Sequence, residues 1–123
     1  MIYKVPTNFE EITQELNKDE LAILNLVIQG FKGYTKDNPI KADLIILRMN
    51  DFLKNKNYKI RLNGPRLRKF VNHIRTNSLL PLIATSKGYF VTEDKELILN
   101  QIKSLMERAN SIEGCAQGLK EFL

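Results

Sequence analysis

The chain has 123 residues, 43% of them hydrophobic and 27% charged, and a formal net charge of +5, which suits one globular domain and excludes a largely disordered chain. The longest apolar run, residues 79–84, is far shorter than the roughly 20 residues of a membrane-spanning helix. The first residues lack the apolar stretch of a secretory signal. Cys115 is the single cysteine, which excludes an intramolecular disulfide. We therefore expect one cytoplasmic domain, residues 1–123, without a membrane span.

Two helices are predicted in the first 40 residues. Thr7 and Glu10 have the spacing of a capping box, in which each side chain satisfies an otherwise unpaired backbone N–H, and this predicts a short helix through Leu16. Asn17 and Glu20 have the same spacing and predict the start of a second helix. The apolar residues of that helix recur at helical spacing as far as Phe31: Leu21, Leu24, Val27, Ile28 and Phe31. We therefore expect the helix to end near residue 31 and a loop to follow it.

A third helix is predicted over residues 42–56, because the apolar side chains of this segment fall on one broad face. Residues 58–62 alternate apolar with basic side chains, which is typical of an extended segment. The sequence Asn-Gly-Pro at 63–65 combines a helix cap with a favourable first helical residue. The next helix is therefore expected from residue 63 to residue 76.

The helix at residues 63–76 is predicted to be amphipathic, with one buried stripe and an otherwise polar surface. Its apolar residues have the i, i+3, i+4, i+7 spacing: Leu67, Phe70, Val71 and Ile74. At about 100° per residue, Pro65, Lys69, Asn72 and Thr76 lie opposite this stripe, Arg66 and His73 lie along one edge, and Arg68 and Arg75 lie along the other.

A hairpin and a last helix are expected after residue 79. Two short β-prone runs, 80–85 and 89–92, flank a turn in which Gly88 can take the positive φ that a tight hairpin needs. Thr92 is predicted to cap the last helix, and acidic residues in its first turn suit the positive end of the helix dipole. We expect this helix to end near Ile112.

The last segment carries a heptad pattern, with apolar residues alternately four and three apart: Ile98, Ile102, Leu105, Ala109, Ile112, Ala116, Leu119 and Leu123. A homodimer through this helix would let the protein read two DNA half-sites. The same spacing also suits a helix packed on its own domain, and Gly114 and Gly118 each cost about 1 kcal/mol inside a helix. Both arrangements stay open.

Positive charge is concentrated in the middle of the chain, where residues 41–91 hold eleven Lys and Arg but only two acids. Within it, residues 67–75 followed by 83–90 resemble the recognition helix and wing of winged-helix proteins common in bacteriophages and prophages, in which a Val-Asn-x-x-Arg helix and a Gly-Tyr in the wing recur. The resemblance covers about residues 60–113. It implies that Lys87 caps the wing and that one face of the helix binds DNA. The residues of that face are Arg66, Lys69, Asn72, His73 and Arg75.

The predicted fold is mainly α with a small β-hairpin, a winged helix-turn-helix with an additional C-terminal helix. Residues 1–40 form its N-terminal helices, 41–92 the helix-turn-helix and wing, and 93–123 the last helix. The expected function is duplex DNA binding, as a phage or prophage regulator or a replication-origin binder. Candidate DNA-binding residues are Arg66, Arg68, Lys69, Asn72, His73, Arg75, Thr76, Ser86 and Lys87.

Two alternatives to duplex DNA binding stay open. One is a module that docks a replication, packaging or transcription protein. The other is RNA binding, which is less favoured because no strand carries the paired aromatics that stack bases. No phosphate-binding glycine loop, cysteine pair, histidine pair or Gly-x-Ser-x-Gly motif occurs in the sequence. We therefore expect neither an enzyme nor a protein that holds a cofactor or a metal.

Overall fold

A computed structural model describes residues 15–123, which are mainly helical with one small antiparallel hairpin, as predicted. The elements are α1 (Lys18–Lys32), α2 (Ala42–Asn55), α3 (Gly64–Thr76), β1 (Leu82–Thr85), β2 (Gly88–Val91), α4 (Lys95–Leu119) and a 3-10 turn (Lys120–Phe122). The helix predicted from Thr7 to Leu16 lies outside the described residues except for Glu15 and Leu16, which are not helical.

The chain divides into two compact units, one that runs to Thr92 and one that comprises Glu93–Leu123. The first unit contains α1, α2, α3 and the hairpin around a single apolar core. Its largest fully buried apolar side chains are Phe31, Phe70, Ile23, Ile40, Ile45, Leu67 and Ile74. All three helices and Ile40, two residues before α2, therefore contribute to one core.

The capping box predicted for the start of α1 is confirmed. The Asn17 side chain accepts a hydrogen bond from the backbone N–H of Glu20, and the Glu20 carboxylate accepts one from the backbone N–H of Asn17, both at 2.9 Å. The predicted end near residue 31 is also close to the observed end at Lys32. The box therefore fixes the first turn of α1 and the position of the Glu20 side chain.

The helices α2 and α3 also form where the sequence predicts them. Asn63 caps α3 by accepting a hydrogen bond from the backbone N–H of Arg66 at 2.9 Å, and Pro65 lies in the first turn. The predicted stripe of α3 is buried, from Leu67 to Ile74. The segment 58–62 is not part of a strand, and Asn50 of α2 holds its end through two hydrogen bonds with the backbone of Leu62, at 2.7 and 2.9 Å.

The first strand of the hairpin is two residues shorter than predicted, the second is displaced by one residue, and a third chain segment extends the hairpin. Ile40, before α2, exchanges two backbone hydrogen bonds with Tyr89 of β2, at 2.7 and 2.9 Å. The Tyr89 ring lies edge-on to that of Phe31, with 5.6 Å between centroids. Gly88 has a φ of 127°, as the predicted turn requires. These contacts fasten the start of α2 and the end of α1 to the hairpin.

The second unit contains α4, whose predicted limits are wrong at both ends. Asp94, not Thr92, caps the helix, because its carboxylate accepts hydrogen bonds from the backbone N–H groups of Glu96 and Leu97. The helix passes Ile112 and ends at Leu119. It continues past Gly114 and Gly118 because each glycine in a helix interior costs only about 1 kcal/mol, which is too little to end a long helix.

Replacement of Gly88 by Ala is expected to lower the free energy of unfolding by about 2 kcal/mol or more, because L-residues are strained at this φ. An added Cβ would also lie 2.5 Å from the carbonyl carbon of Ile40. Urea unfolding followed by circular dichroism measures the change. Gly33→Ala is the matched control, since an added Cβ there meets no atom within 4 Å; equal stabilities of the two variants would contradict the prediction.

Candidate nucleic-acid interface

The position of α3 is fixed by a buried carboxylate on α1. Glu20 is only 1% exposed, and it is the one charged residue that is buried among residues 15–123. Its Oε1 atom accepts a hydrogen bond from Lys69 Nζ at 2.6 Å, and its Oε2 atom accepts one from Arg66 Nε at 2.9 Å. One face of the first two turns of α3 is thereby held against the first turn of α1.

This network corrects the expectation that Lys69 and Arg66 face DNA. The Lys69 side chain is only 12% exposed, and that of Arg66 is 33% exposed. Arg66 also donates from a terminal nitrogen to the backbone carbonyl of Arg61 at 2.8 Å. The helical projection gives the angle of each side chain but not which neighbouring helix covers it, so it could not show that Glu20 lies over this edge of α3.

The network also sets the ionisation of Glu20. Burial alone would raise the pKa of this carboxyl, but the hydrogen bond from Lys69, the one from the Asn17 backbone and the one from Arg66 together hold the pKa below its ordinary value. Glu20 is therefore ionised at neutral pH. A carboxylate with three donors satisfies the condition under which a buried charge is tolerated.

The exposed face of α3 is formed by residues four apart. Arg68 and Thr76 are exposed and Asn72 is half-buried. Within residues 15–123, the Arg68 and Asn72 side chains form no hydrogen bond or ion pair with other residues. This face therefore offers a guanidinium, an amide and a hydroxyl in one line along the helix.

The last predicted residues of α3 lie at its C-terminal end and are partly engaged. Arg75 donates from Nε to the backbone carbonyl of Leu82 at 2.9 Å, which ties the helix to β1. His73 is half-buried, and its Nδ1 atom lies 3.4 Å from the Asn77 amide nitrogen. Arg75 therefore positions the hairpin relative to α3 in addition to carrying charge.

The hairpin turn carries the two remaining predicted residues, Ser86 and Lys87, and both are exposed. The backbone N–H of Lys87 donates to the Thr85 hydroxyl at 3.2 Å. Lys41, just before α2, donates from Nζ to the backbone carbonyl of Ser86 at 3.1 Å. Lys41 is not among the residues that the sequence predicts to bind DNA, because no periodicity relates it to residue 86. Its ammonium group adds a second positive charge at this turn.

No protein-family model, curated protein or solved structure matches this chain. Its function is therefore inferred from the side chains that it presents. Among residues 15–123, no three His, Cys, Asp or Glu side chains are grouped so that they could hold a metal ion. No described helix is long and apolar enough to cross a membrane.

A second surface feature lies between α1 and α2. It is an apolar groove of about 310 Å³, with Leu26 and Gly30 on one side, Met49 and Phe52 on the other, and Tyr34 at one end. Phe52 is 45% exposed beside it. By contrast, α3 exposes no large hydrophobic side chain. The groove and the exposed face of α3 are thus carried by different helices of this unit, and Arg48 adds a cation to the α2 side of the groove.

Replacement of Glu20 by Gln is expected to lower the free energy of unfolding at neutral pH by about 2 kcal/mol, because the largely buried Lys69 ammonium loses its counter-charge. The pKa of Glu20 is lower in the folded than in the unfolded protein. Its stabilising contribution is therefore complete above the unfolded pKa and is lost as the pH falls through the folded pKa. Urea unfolding at a series of pH values from about 7 to about 3 measures both effects.

Asp19→Asn is the matched control for Glu20→Gln. Asp19 lies in the same first turn of α1, but it is exposed and forms no ion pair within the described chain. Its replacement should change stability by only about 0.5 kcal/mol, the loss of a helix-dipole interaction. A Glu20→Gln protein with the same stability and acid dependence as the Asp19→Asn protein would contradict the role given to the network.

Proposed function

We propose that this protein binds duplex DNA with the exposed face of α3 and the hairpin turn, and that its fold is a winged helix-turn-helix with an additional C-terminal helix. The observation that carries the proposal is the exposed face of α3, which presents Arg68, Asn72 and Thr76 and no large apolar side chain. A basic, polar helix face without apolar surface favours nucleic acid over a protein partner.

The order and contacts of the elements support the winged-helix assignment. α2 and α3 are consecutive helices joined by an irregular segment, and the hairpin directly follows α3. Ile40 pairs with Tyr89 in the position of a short third strand beside the hairpin. In this assignment α3 is the recognition helix, and Ser86 and Lys87 form the tip of the wing.

The chemistry of the exposed face suits base and phosphate contacts. A guanidinium such as that of Arg68 can donate two parallel hydrogen bonds to guanine or to a phosphate, and an amide such as that of Asn72 can pair with adenine in the same bidentate way. Thr76 adds a hydroxyl that can bond to a base or a phosphate. Arg66 and Lys69 contribute indirectly, because their bonds to Glu20 fix the rotation of α3 about its axis.

The hairpin turn supplies sequence-independent contacts. Lys87 and Lys41 place two ammonium groups at the turn, and the bond from Lys41 to Ser86 holds the turn beside the start of α2. Such groups bind phosphates and raise affinity without reading bases. Together with the resemblance of 67–75 and 83–90 to phage and prophage proteins, this supports a small regulator or a replication-origin binder that carries out no reaction.

The apolar groove favours a second function, the docking of a protein partner. It is bordered by the exposed Phe52, and its walls are mostly apolar side chains of α1 and α2, together with Gln29 and Arg48. Surfaces of this kind are typical of protein interaction sites. None of the residues proposed to bind DNA lines the groove. DNA binding and the docking of a protein partner are therefore compatible and can be tested separately.

Fluorescence anisotropy with a random-sequence duplex of about 20 base pairs, repeated over a series of salt concentrations, tests the DNA proposal. Arg68→Ala is expected to weaken binding by about tenfold, because it removes the exposed guanidinium. Lys87→Ala should weaken binding several-fold and lower the log-log salt slope by about 1, because it removes one phosphate contact.

Lys32→Ala is the matched control, because it also removes one exposed positive charge but lies on α1. Its affinity should stay close to that of the wild type. Equal losses in all three variants would mean that net charge alone drives binding. If neither Arg68→Ala nor Lys87→Ala weakened binding, the proposed surface would be wrong.

A further inference from the structure

The helix α4 carries an unburied apolar seam along its whole length. None of the residues of α4 is buried. The seam consists of the apolar residues that are alternately four and three positions apart: Ile98, Ile102, Leu105, Ala109, Ile112, Ala116 and Leu119. Ile102 is 49% exposed, Ile112 is 59% exposed and Leu119 is 68% exposed. An amphipathic helix derives most of its stability from packing of its apolar face, so a seam of this length calls for a covering surface.

The pattern around the seam is that of a coiled coil. In heptad notation Ile98, Leu105, Ile112 and Leu119 occupy d positions, and Ile102, Ala109 and Ala116 occupy a positions. The positions farthest from the seam are polar or glycine except for Leu97. They are Glu96, Asn100, Lys103, Ser104, Glu107, Asn110, Ser111, Gly114, Gln117 and Gly118. The helix has 25 residues, which is more than three heptads.

We propose that α4 pairs with α4 of a second copy of this chain in a parallel, in-register coiled coil. The two helices would bury their a and d residues against each other, since identical seams are self-complementary. Pairing along α4 does not depend on DNA binding. If both hold, a dimer presents two α3 helices to one duplex, as two half-sites require.

Charge selects the parallel orientation. Arg108 is at a g position and Glu113 is at the following e position, and in a parallel pair these positions face each other across the seam. Each dimer would therefore contain two Arg108–Glu113 pairs. In an antiparallel pair centred between Ala109 and Ile112, Arg108 would instead face Cys115 of the other copy, and no opposite charges would meet. Charge complementarity thus distinguishes the two arrangements.

Disulfide cross-linking of the full-length chain without DNA tests this pairing. In a Cys115→Ser background, Ile102→Cys places a thiol at an a position, where the same residue of both helices meets in a parallel pair. Mild oxidation should convert most of this protein to a covalent dimer. Lys103→Cys, on the outer side of the helix, is the matched control and should stay largely monomeric. Circular dichroism verifies that both variants remain folded.

Three results would overturn the pairing. One is a Cys115→Ser protein with the mass of a single chain in sedimentation equilibrium at tens of micromolar concentration. Another is equal cross-linking of the Ile102→Cys and Lys103→Cys variants, which would indicate random collision. The third is cross-linking of Ile102→Cys only with a Leu119→Cys partner, which would indicate an antiparallel pair. Because none of these assays contains DNA, their failure leaves the DNA proposal untouched.

A charge exchange tests the orientation independently. Arg108→Glu should weaken the dimer several-fold in sedimentation equilibrium, because each new carboxylate faces Glu113 of the other copy. The double variant Arg108→Glu/Glu113→Arg should restore the affinity. Lys103→Glu, which makes the same charge change on the outer side, should leave it near the wild-type value. No weakening by Arg108→Glu, or no rescue by the double variant, would contradict the parallel pairing.

Discussion

The carboxylate of Glu20 links the start of α1 to α3, and the orientation of α3 depends on it. A buried carboxylate is tolerated only where hydrogen bonds and counter-charges replace its hydration. Here the donors are the backbone N–H of Asn17, Lys69 and Arg66. Because both cationic side chains come from α3 and lie three residues apart, they define one edge of that helix. A rotation of α3 that moved either cation away would remove a counter-charge from the buried carboxylate of Glu20.

With that edge fixed, the line of Arg68, Asn72 and Thr76 faces outward on the first unit. The basic middle segment of the chain thus serves two purposes. Some of its cations hold the fold together, through Glu20 or through backbone carbonyls, and others remain at the surface. The charge available to a ligand is therefore smaller than the composition indicates. Its exposed part is spread over α2, residues 56–61, the exposed face of α3 and the hairpin turn beside Lys41.

Several features that depend on local chemistry were predictable from the sequence, although the cap of α4 was not, and features that depend on distant contacts were missed. The caps at Asn17 and Asn63 and the positive φ of Gly88 follow from residue type and spacing over a few positions. The ion pair of Lys69 is made with a residue 49 positions away, so periodicity within α3 could not reveal it. The helix α4 also continues beyond its predicted end near Ile112, through Gly114 and Gly118, because a glycine lowers helix stability without determining where a helix stops.

The most direct measurement of DNA binding by α3 and the hairpin turn is the backbone amide NMR spectrum of the protein, titrated with a duplex of about 20 base pairs at low salt. If the proposal is correct, the largest shift changes will lie on the exposed side of α3, at Arg68 and Asn72, and at Ser86 and Lys87 in the turn. Amides that line the groove between α1 and α2 will change little. Changes confined to that groove, or no changes in α3 at saturation, would contradict it.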